Sequence, residues 1–163
     1  MPPEDKMFFT YFQDSAEICQ KTARLYDKIM HDKLTDEYKE KALKYKKKGN
    51  HYNKLDVHFQ KDKTEEKKPC IIYFHGGGWA CYSKSIYTTL SRRLASMGYV
   101  VFNVNYGLAP IYKMDNIVSD AVSAIKFARE IAPSFGGDPD QITLAGDSAG
   151  AHISSLVTGM VNS

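Results

Sequence analysis

The sequence predicts an α/β protein with a doubly wound, mostly parallel sheet, and three observations carry that prediction. Residues 70–74, 100–104 and 141–145 are short, apolar runs that include β-branched side chains, as expected of strands buried on both faces. The stretches between them return an apolar residue every three or four positions, which lays one stripe of a helix against a core. Parallel neighbours cannot be joined by a tight turn, so strands alternating with helices of this length mean crossover units rather than a sandwich or a bundle. A chain of 163 residues, 43% apolar and 25% charged, is also an ordinary composition for one domain with a core.

Taken in order, residues 14–30 read as a helix, with Ala16, Cys19, Ala23, Tyr26, Ile29 and Met30 three or four apart and Glu17 placing negative charge near its start. Residues 35–48 read as a second helix, capped by Thr35 and stopped by Gly49 and Asn50. Its Tyr38, Ala42 and Tyr45 share a face, while its lysines look mostly to water. Residues 1–50 are therefore expected to form an N-terminal helical segment and residues 51–163 the sheet domain. Residues 55–59 alternate as an early strand and lead into a charged loop at 60–68. After the strand at 70–74, residues 83–97 have helical spacing through Ile86, Leu90, Leu94 and Met97, with Gly98 as the stop. The strand at 100–104 is followed by a helix opening at Asp115 or Asn116. Ile117, Val118, Ala121, Ile125, Ala128 and Ile131 make its buried stripe, and Pro133 ends it. The last strand, 141–145, runs into a helix over residues 148–161.

Several function classes drop out. A net charge of +3 is too small to mark nucleic acid or an anionic membrane as the main partner, and the lysines of residues 39–48 read as a solvated helix face. No 18-residue apolar span and no secretory leader are present, which makes the cytoplasm the expected compartment. Cys19, Cys70 and Cys81 have neither metal-type nor redox-type spacing, so no disulfide framework, zinc site or other metal is expected.

Two stretches carry chemistry. In Thr143-Leu144-Ala145-Gly146-Asp147-Ser148-Ala149-Gly150 a strand meets a helix through a turn with Ser148 at its apex. Gly146 and Gly150 let strand and helix approach where a Cβ would clash, which forces the serine into a strained, exposed turn, a nucleophile elbow. Upstream, the strand at 70–74 ends in His75-Gly76-Gly77-Gly78-Trp79. Glycines there expose backbone N–H groups, and a donor aimed at a developing oxyanion is worth on the order of 3 kcal/mol in the transition state. The order strand, glycine loop, elbow is the one acyl transfer needs.

Together, His75-Gly76-Gly77-Gly78-Trp79 and Gly146-Asp147-Ser148-Ala149-Gly150 resemble the hormone-sensitive-lipase-like branch of the α/β-hydrolases, a family of serine esterases and lipases. The likeness covers residues 54 to 163. It includes Asn105-Tyr106-Gly107-Leu108-Ala109-Pro110, with Gly107 and Ile111 where the family has arginine and glutamate, and the approach to the elbow at residues 135–142. The resemblance implies a serine hydrolase of small carboxylic esters, with Ser148 as nucleophile and N–H groups of Gly76, Gly77 and Ala149 as the oxyanion hole. His75, Gly78, Gly146, Asp147 and Gly150 support the motifs, and no cofactor is implied. It also suggests a helical lid in residues 1–50, where Phe8, Phe9, Tyr11 and Phe12 cluster. Docking of the N-terminus onto the core fits those aromatics equally well.

The fold places the triad acid and base after the serine, in the order Ser, Asp or Glu, His. Only residues 149–163 follow Ser148. His152 stands one turn along a helix that runs into the core, so it reads as a packed helical histidine rather than a base. His75 reads as a residue that orders the glycine loop, His31, His51 and His58 have no partner signal, and Asp120 reads as a helix aspartate. The expectation is therefore the N-terminal portion of a longer enzyme, with acid and base missing. Its elbow strand would have one unpaired edge, open to self-association. An inert fragment or non-catalytic binding module, and a formamidase or peptidase of the same fold, remain as alternatives.

Overall fold

A computed structural model describes residues 38–46, 51–61 and 66–161. The strands are β1 (Tyr38–Lys44), β2 (Lys54–Gln60), β3 (Lys68–Phe74), β4 (Val100–Val104) and β5 (Gly137–Gly146), and the α-helices are α1 (Thr88–Ser96), α2 (Met114–Ile131) and α3 (Ala149–Val161). Short 3-10 turns, Lys84–Tyr87 and Ala132–Phe135, precede α1 and follow α2. The sheet order is β1-β2-β4-β3-β5. Strands β4, β3 and β5 are parallel, and β1 and β2 extend them as an antiparallel pair.

The connectivity positions the site. From β3 the chain crosses through α1 to β4 on one side, then returns through α2 over β3 to β5 on the other. The winding reverses at β3, and in open α/β sheets the crevice at the carboxyl ends of such strands is where ligands sit. Phe74 pairs with Gly146, so the glycine loop and the elbow leave the sheet side by side.

The two faces differ. On one, Leu55, Val57, Ile72, Phe74, Phe102 and Val104 are fully buried with Ile117 and the alanines of α2 and with Ile153 of α3. Each large apolar side chain buried there contributes roughly 1.5–3 kcal/mol. The other face carries Asp56, His58 and Asn103 next to one another across β2 and β4. Lys84 forms an ion pair with Asp56, Asn103 Nδ2 donates to the Lys84 carbonyl at 2.7 Å, and the Lys84 N–H donates to Asn105 Oδ1 at 2.6 Å.

Three expectations are corrected. Residues 38–44 are strand β1, not part of a helix over 35–48, and β1 pairs along its whole length with β2. Glu, Lys, Ala and Leu are good helix formers, but seven residues of weak propensity yield to a ladder that also seats Tyr45 in the core, where its hydroxyl donates to the Asn105 carbonyl at 2.8 Å. Residues 38–44, read above as part of a helix, therefore extend the sheet, and Tyr45 enters the core. In α1 the predicted stripe is not what is buried: Ile86 and Met97 are exposed, Leu90 and Leu94 are half-buried, and Ser91, Arg93 and Ala95 face inward. That helix packs on β2 and β4, where the sheet offers polar groups. Strand β5 is longer than predicted and only half-buried, because it is an edge of the sheet among the described residues. The helix at 14–30, the aromatic cluster at 8–12, Cys19, His31 and the Thr35 cap lie outside the described residues.

His58 yields a pH prediction. Burial lowers its pKa below the usual value near 6.5, aided by Lys84 and Arg92, while Glu40 and Asp56 pull the other way. The unfolded chain then binds a proton that the folded chain refuses, so stability falls as pH drops from about 6.5 towards the lowered value. In urea titrations from pH 7.5 to 5, His58→Asn should reduce the slope of unfolding free energy against pH, by at most about 1.4 kcal/mol per pH unit.

Candidate active site

Ser148 is exposed and has φ of 47°, a left-handed conformation that costs a non-glycine residue on the order of 1–3 kcal/mol. Its neighbours show how that strain is held. A Cβ on Gly146 would lie 2.6 Å from both the Gly150 carbonyl carbon and the Phe74 carbonyl oxygen. One on Gly150 would overlap the same Phe74 oxygen and come within 2.9 Å of the His75 oxygen. Strand β5, helix α3 and the end of β3 thus meet backbone to backbone, as Gly146 and Gly150 predicted.

The glycine loop is a tight turn. Gly77 and Gly78 have φ of 116° and 58°, and Trp79 follows at 60°. The Gly77 carbonyl accepts the N–H groups of Ala80 at 3.1 Å and Cys81 at 3.0 Å. His75 is buried, its ring stacked on Tyr106 with centroids 4.4 Å apart. Its Nδ1 is 2.7 Å from the Gly76 carbonyl, and the Tyr106 hydroxyl donates to the His75 carbonyl at 2.6 Å. Burial lowers the pKa of His75, so the neutral ring donates from Nδ1 and supports the loop. The Trp79 carbonyl accepts the Ala109 N–H at 2.8 Å, which ties the segment after β4 to this loop.

One donor is spoken for. The Gly76 N–H donates to Asp147 Oδ1 at 2.8 Å, so Gly76 is not a free oxyanion donor, contrary to expectation. Among the described residues no acceptor takes the N–H of Gly77 or Gly78. Ala149 opens α3, where the first N–H groups have no partner within the helix. Asp147 was read from the sequence as a supporting residue of its motif, but its bond to Gly76 and the neighbouring Tyr73 and Tyr87 were not, since nothing local links residues sixty or more positions apart.

No described histidine ring is hydrogen-bonded to Ser148. His152 is exposed and stands edge-on to Trp79, centroids 5.4 Å apart, rather than packed in the core as predicted. His58 lies beneath α1 with Glu40 across the strand pair, and His51 sits against Tyr52. Asp120 is structural: buried, it accepts the Gly107 N–H at 3.0 Å and pairs with Lys46 Nζ at 2.6 Å. Glu40, Asp56 and His58 form a carboxylate and imidazole cluster, but Lys84 already supplies its cation.

Residues 71–163 match a family model described as alpha/beta hydrolase fold, and residues 29–107 also match one for platelet-activating factor acetylhydrolase, isoform II. A probable isoprenylcysteine alpha-carbonyl methylesterase of Oryza sativa subsp. japonica is 38% identical over 103 residues, 63% of this chain and 25% of that protein. Esterase LipC of Mycobacterium tuberculosis is 39% identical over 104 residues, 63% of this chain and 26% of the other. Among solved structures, an inhibited esterase B from Lactobacillus rhamnosis superposes with a TM-score of 0.74 at 26% identity, covering 94% of this chain and 50% of that one. The chain therefore spans about a quarter of the length of these curated relatives and half that of the solved structure.

The backbone contact at the elbow is tested by two glycines of the same helix. Gly150→Ala should destabilise by more than about 3 kcal/mol or abolish soluble expression, because its methyl meets the carbonyl of Phe74. Gly159→Ala, where a Cβ meets nothing within 4 Å, should stabilise by about 0.5–1 kcal/mol in the same urea titration.

Proposed function

The chain belongs to the alpha/beta hydrolase fold family, in its hormone-sensitive-lipase-like branch, and from that premise we propose that it carries the nucleophile and oxyanion hole of a carboxylic ester hydrolase. The observation that supports this best is Ser148, exposed and left-handed between two glycines whose side chains the backbone forbids. Ser148 Oγ attacks the ester carbonyl. Its proton passes to a general base as the Oγ–C bond forms, and the carbonyl electrons move onto oxygen, where N–H groups of Gly77, Gly78 and Ala149 receive them. Collapse expels the alcohol, protonated by the same base, and water then cleaves the acyl-enzyme by the reverse sequence. The base and its carboxylate come from outside the described residues. The steps use no metal or organic cofactor. Relatives named as methylesterases and carboxylesterases support small carboxylic esters as the substrate class.

Removing the base of a serine hydrolase costs around 10⁶ in kcat and leaves roughly 10³-fold catalysis over water, so labelling reads a weakened site better than turnover does. A fluorophosphonate probe should modify Ser148 in the wild-type protein, as located by peptide mass spectrometry, and Ser148→Ala should take up none. A wild-type protein left unlabelled favours a binding module or an inert fragment. Cleavage of N-formyl substrates in preference to p-nitrophenyl acetate would replace the esterase with a formamidase.

A further inference from the structure

We propose that Asp147 is a positioning residue that seats the glycine loop on the elbow and thereby selects which glycine N–H groups face the oxyanion; this rests on the serine hydrolase reading above. Two donors converge on its carboxylate, and a second tyrosine stands beside them. The Gly76 N–H reaches Oδ1 at 2.8 Å, the Tyr73 hydroxyl lies 3.5 Å from the same oxygen, and the ring of Tyr87 packs on that of Tyr73. The fit is close, since a Cβ on Gly76 would strike the Asp147 carboxylate and lie 3.1 Å from the Asp147 carbonyl oxygen.

A carboxylate beside an oxyanion site has a sign problem, because negative charge there opposes the charge that develops on the substrate. The Tyr73 hydroxyl offsets part of it. Burial, together with the neighbouring carboxylate, pushes Tyr87 up to about 12, so its phenol stays protonated throughout the neutral range. Tyr73 and Tyr87 pack with ring centroids 4.9 Å apart. Tyr87 ends the 3-10 turn that Lys84 anchors through Asp56, Asn103 and Asn105. The carboxylate thus holds the loop from a fixed platform. With the Gly76 N–H consumed, the positive φ of Gly77 and Gly78 turns the chain so that the next two N–H groups are left for substrate.

The test compares Asp147→Ala with Asp147→Asn, whose amide oxygen still accepts the Gly76 N–H. Fluorophosphonate labelling of Ser148 should slow about 100-fold in the bond-forming rate constant of Asp147→Ala, with probe affinity changed less than about 3-fold. Asp147→Asn should stay within about 5-fold of wild type, because the strut is retained. Amide exchange at Gly76 should be slow in wild type and Asp147→Asn and fast in Asp147→Ala. Labelling of Asp147→Ala at the wild-type rate, or unchanged protection at Gly76, overturns the proposal. If Asp147→Ala does not fold, Asp147→Ser, whose hydroxyl sits one bond short of the carboxylate oxygen that holds the Gly76 N–H, takes its place: slowed labelling with faster Gly76 exchange supports the proposal, and a wild-type rate overturns it. A wild-type protein that labels not at all refutes the serine reading, and Gly76 exchange then judges the strut alone.

Discussion

The last carbonyl of β3, that of Phe74, lies against the backbone of Gly146 and Gly150 at a distance no side chain survives. Everything at the candidate site follows from that contact. It brings the end of β3 to the end of β5, which the parallel register of Phe74 with Gly146 has already aligned. It leaves the intervening turn too short for relaxed dihedrals, so the strain falls on Ser148 and pushes it into solvent. The strained turn is affordable because the sheet beneath it is rigid: Ile72, Phe74, Phe102 and Val104 are fully buried in interior strands.

A second layer of polar contacts then orients the glycine loop on that platform. His75 and Tyr106 hold the loop from below through a ring stack and two carbonyl contacts, and Asp147 holds it from the elbow. These contacts divide the work. Burial lowers the pKa of His75, so a neutral ring supports the loop, and the Tyr73 hydroxyl lies 3.5 Å from the carboxylate of Asp147. The opposite end of the sheet order is built differently, with the ion pair of Lys84 and Asp56 and buried His58 under α1 fixing the segment that carries Tyr87.

Legibility in the sequence tracked how local the cause was. Strands β2, β3 and β4 were readable because their apolar runs are continuous or alternate, and α2 because its stripe repeats over five turns. The buried side of α1 was not, since an apolar stripe records what a helix could bury and not that the sheet beneath it offers Asp56, His58 and Asn103. Strand β1 was misread for a related reason: its lysines, glutamate and alanine favour a helix in isolation, and only the pairing of Leu43 with Leu55 and Lys41 with Val57 makes them a strand.

By itself the sequence determined the α/β class, the family, and the two glycines flanking Ser148, because each leaves a signature within a few residues of its cause. Only the tertiary structure decided that β1 joins the sheet and that Asp147 takes the Gly76 N–H. Those outcomes depend on partners far along the chain, Tyr38 with Gln60 and Gly76 with a carboxylate 71 residues away, and a hydrogen bond between distant residues has no period to read.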